Sequence, residues 1–165
     1  LSAETCTNIT AGRSSSREAA SMGEIQVPYT HLWCSADGET HVQECFMSDF
    51  VLKGYSNAPQ AVREDGVPTP DKIAFTQVPV GWDNPWHPCP KTQFVITLSG
   101  SWYVTTSDGS RREFTTGDVL FQDNTPDAPA AKIPQHYSGT VGDVPCQQMI
   151  IQVDRAPEVD NPGCL

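Results

Sequence analysis

The sequence predicts an all-β fold, a sandwich or barrel of many short strands. Two segments of strand-like residues are joined at Asp37-Gly38, and two more at Asp108-Gly109. Asp-Gly between such segments is a strong hairpin signal. The chain has 14 prolines and 12 glycines in 165 residues, which favours frequent turns and disfavours long helices. Strands separated by turns about every 8–12 residues are typical of a sandwich or barrel rather than of βαβ units.

The predicted strands follow a Ser-, Ala- and Thr-rich N-terminal arm, residues 1–24. They make up a single barrel domain, residues 25–154, and a polar, proline-rich tail follows at 155–165. The proline-bearing segments 57–71 and 123–134 are expected to be loops. The predicted strand segments are 29–35, 40–47, 73–80, 91–98, 102–106, 111–114, 119–122, 136–141 and 147–153.

The segment from His87 to Leu98 alternates in character. His87, Cys89 and Gln93 have the same parity, so they would point to one face of an extended chain. Phe94 and its apolar neighbours at alternate positions would face the other way. A strand that is apolar on its second face is covered there by another layer or by a partner subunit. We therefore expect a homodimer, with a covering arm from the N-terminal strands as the alternative.

The charge of the chain excludes some classes of partner. Its net charge is −10, so nucleic acids and anionic membrane surfaces would repel it. No apolar run approaches the roughly 20 residues of a membrane-spanning helix. The expected partner is a small molecule, with neither nucleic acid nor membrane involved.

Six cysteines are spread from end to end, and no C-x2-C pair suggests a zinc knuckle. An even set predicts three disulfides in an oxidising compartment, with 15 possible pairings; the alternative is six unrelated buried thiols. The chain starts at Leu1 rather than Met, and Asn8 heads an N-glycosylation sequon. These features predict a secreted glycoprotein. The cysteines are Cys6, Cys34, Cys45, Cys89, Cys146 and Cys164.

The spacing of residues between Gly81 and Gly100 follows the pattern G-x5-H-x-H-x3-E-x6-G, with Cys89 replacing the second His and Gln93 replacing Glu. This resembles the first motif of the cupin superfamily. The DGETHVQE hairpin at residues 37–44 and GDVLFQDNT at 117–125 extend the resemblance to small single-domain cupins over residues 27–153. The resemblance implies a double-stranded β-helix, or jelly-roll, barrel. It implies a scaffold rather than a reaction.

The same resemblance implies a metal site, in which His87 keeps a ligand position and His136 inherits the last one. Gln93 would offer a neutral amide oxygen, which is weaker than a carboxylate. His41 is our choice to complete the site, because three imidazoles would suit zinc or copper. A disulfide would prevent Cys89 from being a ligand, and the protein could then hold no metal at all.

Other residues are also candidates for the same site. Glu44 and Asp123 are alternatives to His41, although Glu44 and His41 have opposite parity. Structural roles are the alternative for each candidate ligand: a hydrogen-bonded histidine on a half-exposed strand, a degenerate ligand on an inherited scaffold, or an orienting amide. His31 has no motif around it and is expected at the surface.

Two tryptophans, Trp82 and Trp86, are expected in a Gly/Pro/Asn loop at the barrel mouth, where they could contact a flat ligand or sugar ring. Trp102 is expected in the core. The sequence thus supports two hypotheses and leaves the question of catalysis open. One is a metal-dependent protein that binds or transforms a small organic molecule. The other is a metal-free extracellular module that binds a small ligand without catalysis.

Overall fold

A computed structural model of the chain describes residues 25–165, and within that range every regular element is a β-strand. The predicted N-terminal arm, with Cys6 and Asn8, lies outside the described residues. No helix long and apolar enough to span a membrane occurs among the residues described. The strands are β1 (Val27–Cys34), β2 (Thr40–Met47), β3 (Val51–Gly54), β4 (Pro59–Val62), β5 (Pro70–Val78), β6 (Asp83–His87), β7 (Gln93–Ser99), β8 (Ser101–Thr106), β9 (Arg111–Phe114), β10 (Val119–Gln122), β11 (His136–Val141) and β12 (Cys146–Val153).

Two sheets pack against each other as the predicted all-β jelly-roll. The first has six strands in the order β2-β1-β10-β7-β12-β5, and the second has four in the order β6-β11-β8-β9. Neighbouring strands are antiparallel except β1 and β10, which run parallel. Strands β3 and β4 form a separate exposed hairpin. Because side chains alternate along each strand, each sheet has an inner face towards the other sheet and an outer face.

Both predicted Asp-Gly hairpins are confirmed, between β1 and β2 and between β8 and β9. Gly38 has a φ of 85°, which glycine adopts without strain. It also packs closely on Lys132, since a Cβ at Gly38 would lie 2.4 Å from the Lys132 carbonyl oxygen. The turn therefore requires glycine for two independent reasons.

The core lies between the inner faces. Leu32, Val95 and Leu120 come from the six-stranded sheet and pack against Trp102 and Phe114 of the four-stranded sheet. The Trp102 indole nitrogen also donates a hydrogen bond to the Thr97 hydroxyl at 2.9 Å. Trp102 is thus a core residue, as predicted, and it joins the two sheets.

A second apolar cluster lies on the outer face of the six-stranded sheet, where Tyr29, Phe94, Phe121 and Val153 pack together. Leu165 packs against this cluster. The chain's own C-terminal segment, residues 155–165, therefore covers part of the face that we expected a partner or N-terminal arm to cover. Dimerisation stays a prediction.

Buried polar contacts attach this C-terminal segment to the sheet. Asp123 accepts a hydrogen bond from Arg155 at 2.8 Å and lies 3.1 Å from the His31 ring. The Gly163 amide donates to the other ring nitrogen of His31, and the Tyr29 hydroxyl donates to the Gly163 carbonyl. The expectation that His31 is at the surface is wrong, because the C-terminal segment covers it completely.

Two other expectations also differ from the structure. The segment 57–71 was expected to be a loop, but it contains β4 and the start of β5. His87 and Gln93 do not share a strand, because β6 ends at His87 and β7 begins at Gln93 in the other sheet. Pro88 and Pro90 lie between them and have no amide hydrogen to donate to a ladder.

Candidate functional site

His87 and His136 lie next to each other on the four-stranded sheet. His87 ends β6, His136 begins β11, and the two are register partners with ring centroids 4.3 Å apart. His136 is almost fully buried and His87 is half-buried. The structure thus brings together two of the four predicted metal ligands.

Both ring nitrogens of His87 have protein partners. Nδ1 lies 2.7 Å from the Pro85 carbonyl oxygen, which can only accept, so Nδ1 carries the proton. Nε2 lies 2.9 Å from the Asn84 amide nitrogen and accepts from it. The His87 ring is therefore oriented by residues of its own strand.

His136 is held in the opposite tautomer. Its Nδ1 lies 3.0 Å from the Asn124 amide nitrogen, which can only donate, so in the neutral ring the proton is on Nε2. The same amide nitrogen also donates to the Pro134 carbonyl. Burial, together with the charge of His87, lowers the pKa of His136 to about 3. His136 is therefore a neutral donor at ordinary pH.

Three buried side-chain oxygens have no hydrogen-bond partner within the described residues: Asn124 Oδ1, Gln122 Oε1 and Thr92 Oγ1. A buried acceptor without a partner is unfavourable and indicates a water or a ligand donor. Asn124 is the one of these three residues that contacts the histidine pair, because its amide nitrogen hydrogen-bonds His136. His136 and Asn124 together therefore present a ring N–H donor and a side-chain carbonyl oxygen without a described partner.

Gln93 lies on the other sheet, at the start of β7, and is buried on the face that it shares with Val95. Its register partners are Gln122 and Gln152. The Gln152 amide donates to the Gln93 side-chain oxygen at 3.4 Å. Gln93 thus belongs to a row of three glutamines, and the oxygen proposed as a metal ligand already accepts a hydrogen bond.

His41 lies on the outer face of β2, because its neighbour Val42 packs into the core. Its ring stacks on Trp33 at 4.4 Å. Its nitrogens lie 2.9 Å from Asp108 and 3.2 Å from the Ser35 hydroxyl. These contacts match the structural role that was the alternative for this residue, and they place His41 away from the other candidate ligands.

Cys89 is fully buried, and its amide donates to the Asn124 carbonyl at 3.1 Å. Burial, with a contribution from the negative charge of Asp123, raises the pKa of this thiol well above its usual value. The neutral thiol is a poor metal ligand. Cys34, Cys89 and Cys146 are free thiols in the described part of the chain, so the predicted disulfides stay a prediction for them.

The described residues do not fit a metal with three protein ligands. Across residues 25–165 no group of three His, Cys, Asp or Glu side chains is arranged to hold an ion. Both ring nitrogens of His87 are hydrogen-bonded to protein groups. In His136, Nδ1 is hydrogen-bonded to Asn124, and Nε2 carries the proton. An ion would have to displace Asn84 and remove that proton.

Trp86 lies in β6 rather than in a loop, and alternation places it on the outer face, opposite His87. Trp86 lines an open cavity of about 250 Å³. Trp82 does not line this cavity; it is half-buried, and its backbone bonds Thr140. The cavity is lined by Gly38, Trp86, Ser107, Lys132, Ile133 and Gln135.

Sequence reasoning missed Asn84 and Asn124, the two amides that orient the histidines. The motif gave no signal for Asn84, because the segment before His87 was expected to be a loop rather than the strand β6. Asn124 lies two positions after the end of β10, within a segment that sequence reasoning treats only as part of the cupin resemblance. An asparagine just after one predicted strand, 12 positions before a histidine that begins the next strand, is the sequence pattern that could have indicated it.

No family model matches this chain, and no curated protein matches it. Among solved structures, the chain is similar to the Cnp3 cupin domain of Schizosaccharomyces pombe, with 13% identity, a TM-score of 0.38, and coverage of 79% of this chain and 84% of that chain. It is also similar to a cupin-2 domain containing protein of Shewanella frigidimarina, with 18% identity, a TM-score of 0.34, and coverage of 56% and 85%. At these scores, the fold rests on the strand order described above.

Proposed function

We propose that this chain is a secreted cupin-type protein that binds a small polar organic molecule inside the barrel, at His136 and Asn124, without a bound metal. One observation carries the proposal. His136 offers a ring N–H, and Asn124, which bonds the same ring, has a fully buried oxygen without a described partner. A ligand with one acceptor and one donor, such as a hydroxy acid or a sugar, satisfies both groups.

The proposal is tested by a thermal-shift screen of small hydroxy acids and monosaccharides, with and without EDTA. A ligand at a hundred times its dissociation constant adds about 2.7 kcal/mol to the free energy of unfolding. We expect one compound class to raise Tm, with the effect lost in His136→Gln and Asn124→Ala. His41→Ala is the matched control, because His41 lies outside the barrel, and it should keep the effect. No stabilising compound, or stabilisation that EDTA abolishes, would contradict metal-free binding.

A metal-dependent enzyme is the second candidate, and the adjacency of His87 and His136 favours it. Metal content by mass spectrometry separates the two candidates. The protein would be purified without an affinity metal and dialysed against zinc or copper. About one ion per chain, lost in His87→Ala but kept in His41→Ala, would replace the metal-free proposal. Metal at background level in every sample would remove the enzyme candidate.

The homodimer belongs to the same proposal. Ile73 and Phe75 of β5 and Leu98 of β7 are exposed apolar residues on the outer face of the six-stranded sheet, beside the part covered by the C-terminal segment. Exposed apolar patches of this kind are typical of interfaces. Light scattering of the wild type and of Phe75→Asp tests it, since the variant should be a monomer.

A further inference from the structure

The outer face of the four-stranded sheet has an aromatic surface that the barrel interior does not explain. Trp86 and Tyr137 are the sequence neighbours of His87 and His136, and strand alternation places them on the opposite face. With Tyr103 of β8 they form what we call the outer aromatic row, which crosses β6, β11 and β8.

In the outer aromatic row, the two tyrosine rings are nearly parallel and the Trp86 ring is steeply inclined to them. Tyr103 and Tyr137 are nearly parallel, with an interplanar angle of 15° and centroids 6.4 Å apart. Trp86 is inclined by 70° to Tyr137, with centroids 6.2 Å apart. Trp86 is 47% exposed, so much of its large apolar surface is open to a ligand.

Gly139 of β11 permits the flat arrangement. A Cβ at this position would lie 2.7 Å from the Tyr103 hydroxyl oxygen and 2.9 Å from an Asp83 carboxylate oxygen. The Tyr103 side chain therefore reaches across the β11 backbone, and its hydroxyl donates to Asp83 at 3.4 Å. Any other residue at 139 would lift this ring from the sheet.

Hydrogen-bonding groups lie at both ends of the outer aromatic row. The Arg111 guanidinium lies 3.5 Å over the Tyr103 ring centroid and pairs with Glu113 at 3.0 Å. At the other end, Trp86 lines the 250 Å³ cavity together with the polar side chains of Ser107 and Gln135. The surface thus continues from the cavity, past Trp86, to Arg111.

We propose that the outer aromatic row binds a neutral oligosaccharide of pyranose rings. A pyranose has an apolar C–H face that packs on an aromatic ring and a rim of hydroxyls that need donors and acceptors, and this surface offers both. Asp83, Arg111 and Glu113 are charged and interleaved with the aromatics, whereas the centres of protein interfaces are depleted of charged residues. A chain of sugars is favoured over a single sugar because the rings and the cavity form one extended surface.

This site lies outside the barrel and does not rest on the proposed function. The test uses the full 165-residue chain and four neutral probes. These are the hexasaccharides of β-1,4-glucose, β-1,3-glucose, β-1,4-xylose and β-1,4-N-acetylglucosamine. Isothermal titration calorimetry measures binding of each. We expect at least one probe to bind, with a tenfold or greater loss of affinity in Trp86→Ala and in Tyr137→Ala.

Two control variants make the result specific. Phe46→Ala removes an exposed aromatic residue from β2 of the other sheet and should leave the affinity unchanged. His87→Gln perturbs the inner face of the same strand and should also leave it unchanged. Circular dichroism and Tm confirm that each variant is folded. Failure of all four probes to bind, or equal binding by Trp86→Ala, would overturn the proposal.

A second copy of the chain is the alternative occupant of this surface, and light scattering on the same samples detects such self-association. A wild-type dimer that Trp86→Ala converts to a monomer, without any probe binding, would overturn the saccharide proposal in favour of a second copy of the chain. A wild type whose oligomeric state is unaffected by Trp86→Ala, and which binds a probe, supports the proposal.

Discussion

Asn124 connects more of the candidate site than any residue that the motif indicated. Its amide nitrogen bonds both His136 and the Pro134 carbonyl, and its backbone carbonyl accepts from Cys89. The motif spacing indicated His87, the wider resemblance indicated His136, and the structure places the two side by side. The motif could not predict Asn124, because a single polar residue after a strand has no periodic signature and its partner is 12 positions away.

Replacing Asn124 by Ala should destabilise the protein. The change leaves His136 Nδ1 and the Pro134 carbonyl buried without partners, and each such group costs about 1–3 kcal/mol. Urea denaturation followed by fluorescence measures the loss in the free energy of unfolding. Asn84→Ala is the control, because its partner His87 is half-buried and water can replace the amide, so the loss there should be smaller. Equal losses would contradict the assigned roles.

Gly139→Ala should impair saccharide binding by the outer aromatic row without destabilising the fold. The added Cβ displaces the Tyr103 ring, which is on the surface, so Tm should change little while saccharide affinity falls. Calorimetry with the best probe measures the affinity. Gly109→Ala is a comparison in a turn, where no atom lies within 4 Å but φ is 87°, so it should lower Tm and leave the affinity unchanged.

The C-terminal segment shows what pattern reading misses at the scale of an element. Its polar, proline-rich composition predicted a tail, and no alternation indicated that it packs on a sheet. The contacts that hold it come from Asp123, His31 and Tyr29, which are far away in sequence. Strands were predicted better, because alternation and Asp-Gly turns are local; β6 was missed because Pro85 and the nearby prolines indicated a loop.

The attachment of this segment should depend on pH through Asp123. Burial opposes ionisation of Asp123 and is the largest single influence, but the hydrogen bonds and charges of His31 and Arg155 together outweigh it, so the pKa is lowered. A carboxyl group with a lowered folded-state pKa contributes stability above its unfolded pKa of about 3.9. That contribution is lost as the pH falls through the folded-state value.

Hydrogen exchange of residues 155–165 between pH 6 and pH 3 measures this dependence. We expect protection relative to the core strands to fall towards the acid end in the wild type. In Asp123→Asn the relative protection should be lower at pH 6 and nearly independent of pH. A wild-type profile as flat as that of the variant would contradict the role of Asp123.

Strand β2 and the C-terminal segment should also be joined covalently under oxidising conditions. Cys45 is the register partner of Tyr29, which bonds Gly163, and a Cβ at Gly163 would lie 3.4 Å from the Cys45 sulfur. Cys164 follows directly. Peptide mapping after incubation with oxidised glutathione, which accepts the two electrons and protons, should recover a Cys45–Cys164 disulfide; recovery of Cys164 bonded only to Cys6 would contradict it.

At the scale of the whole molecule, the barrel is completed by residues from opposite ends of the described chain. The hydrogen bond from Tyr29 to Gly163 spans 134 positions, and β1 pairs in parallel with β10. Contacts so distant in sequence require closure of a large loop, which slows folding. During synthesis, His31 and Phe121 leave the ribosome before residues 155–165, which cover this face of the sheet. A newly made chain therefore leaves this apolar outer face open to water, and to other chains, until residues 155–165 have been synthesised and can pack on it.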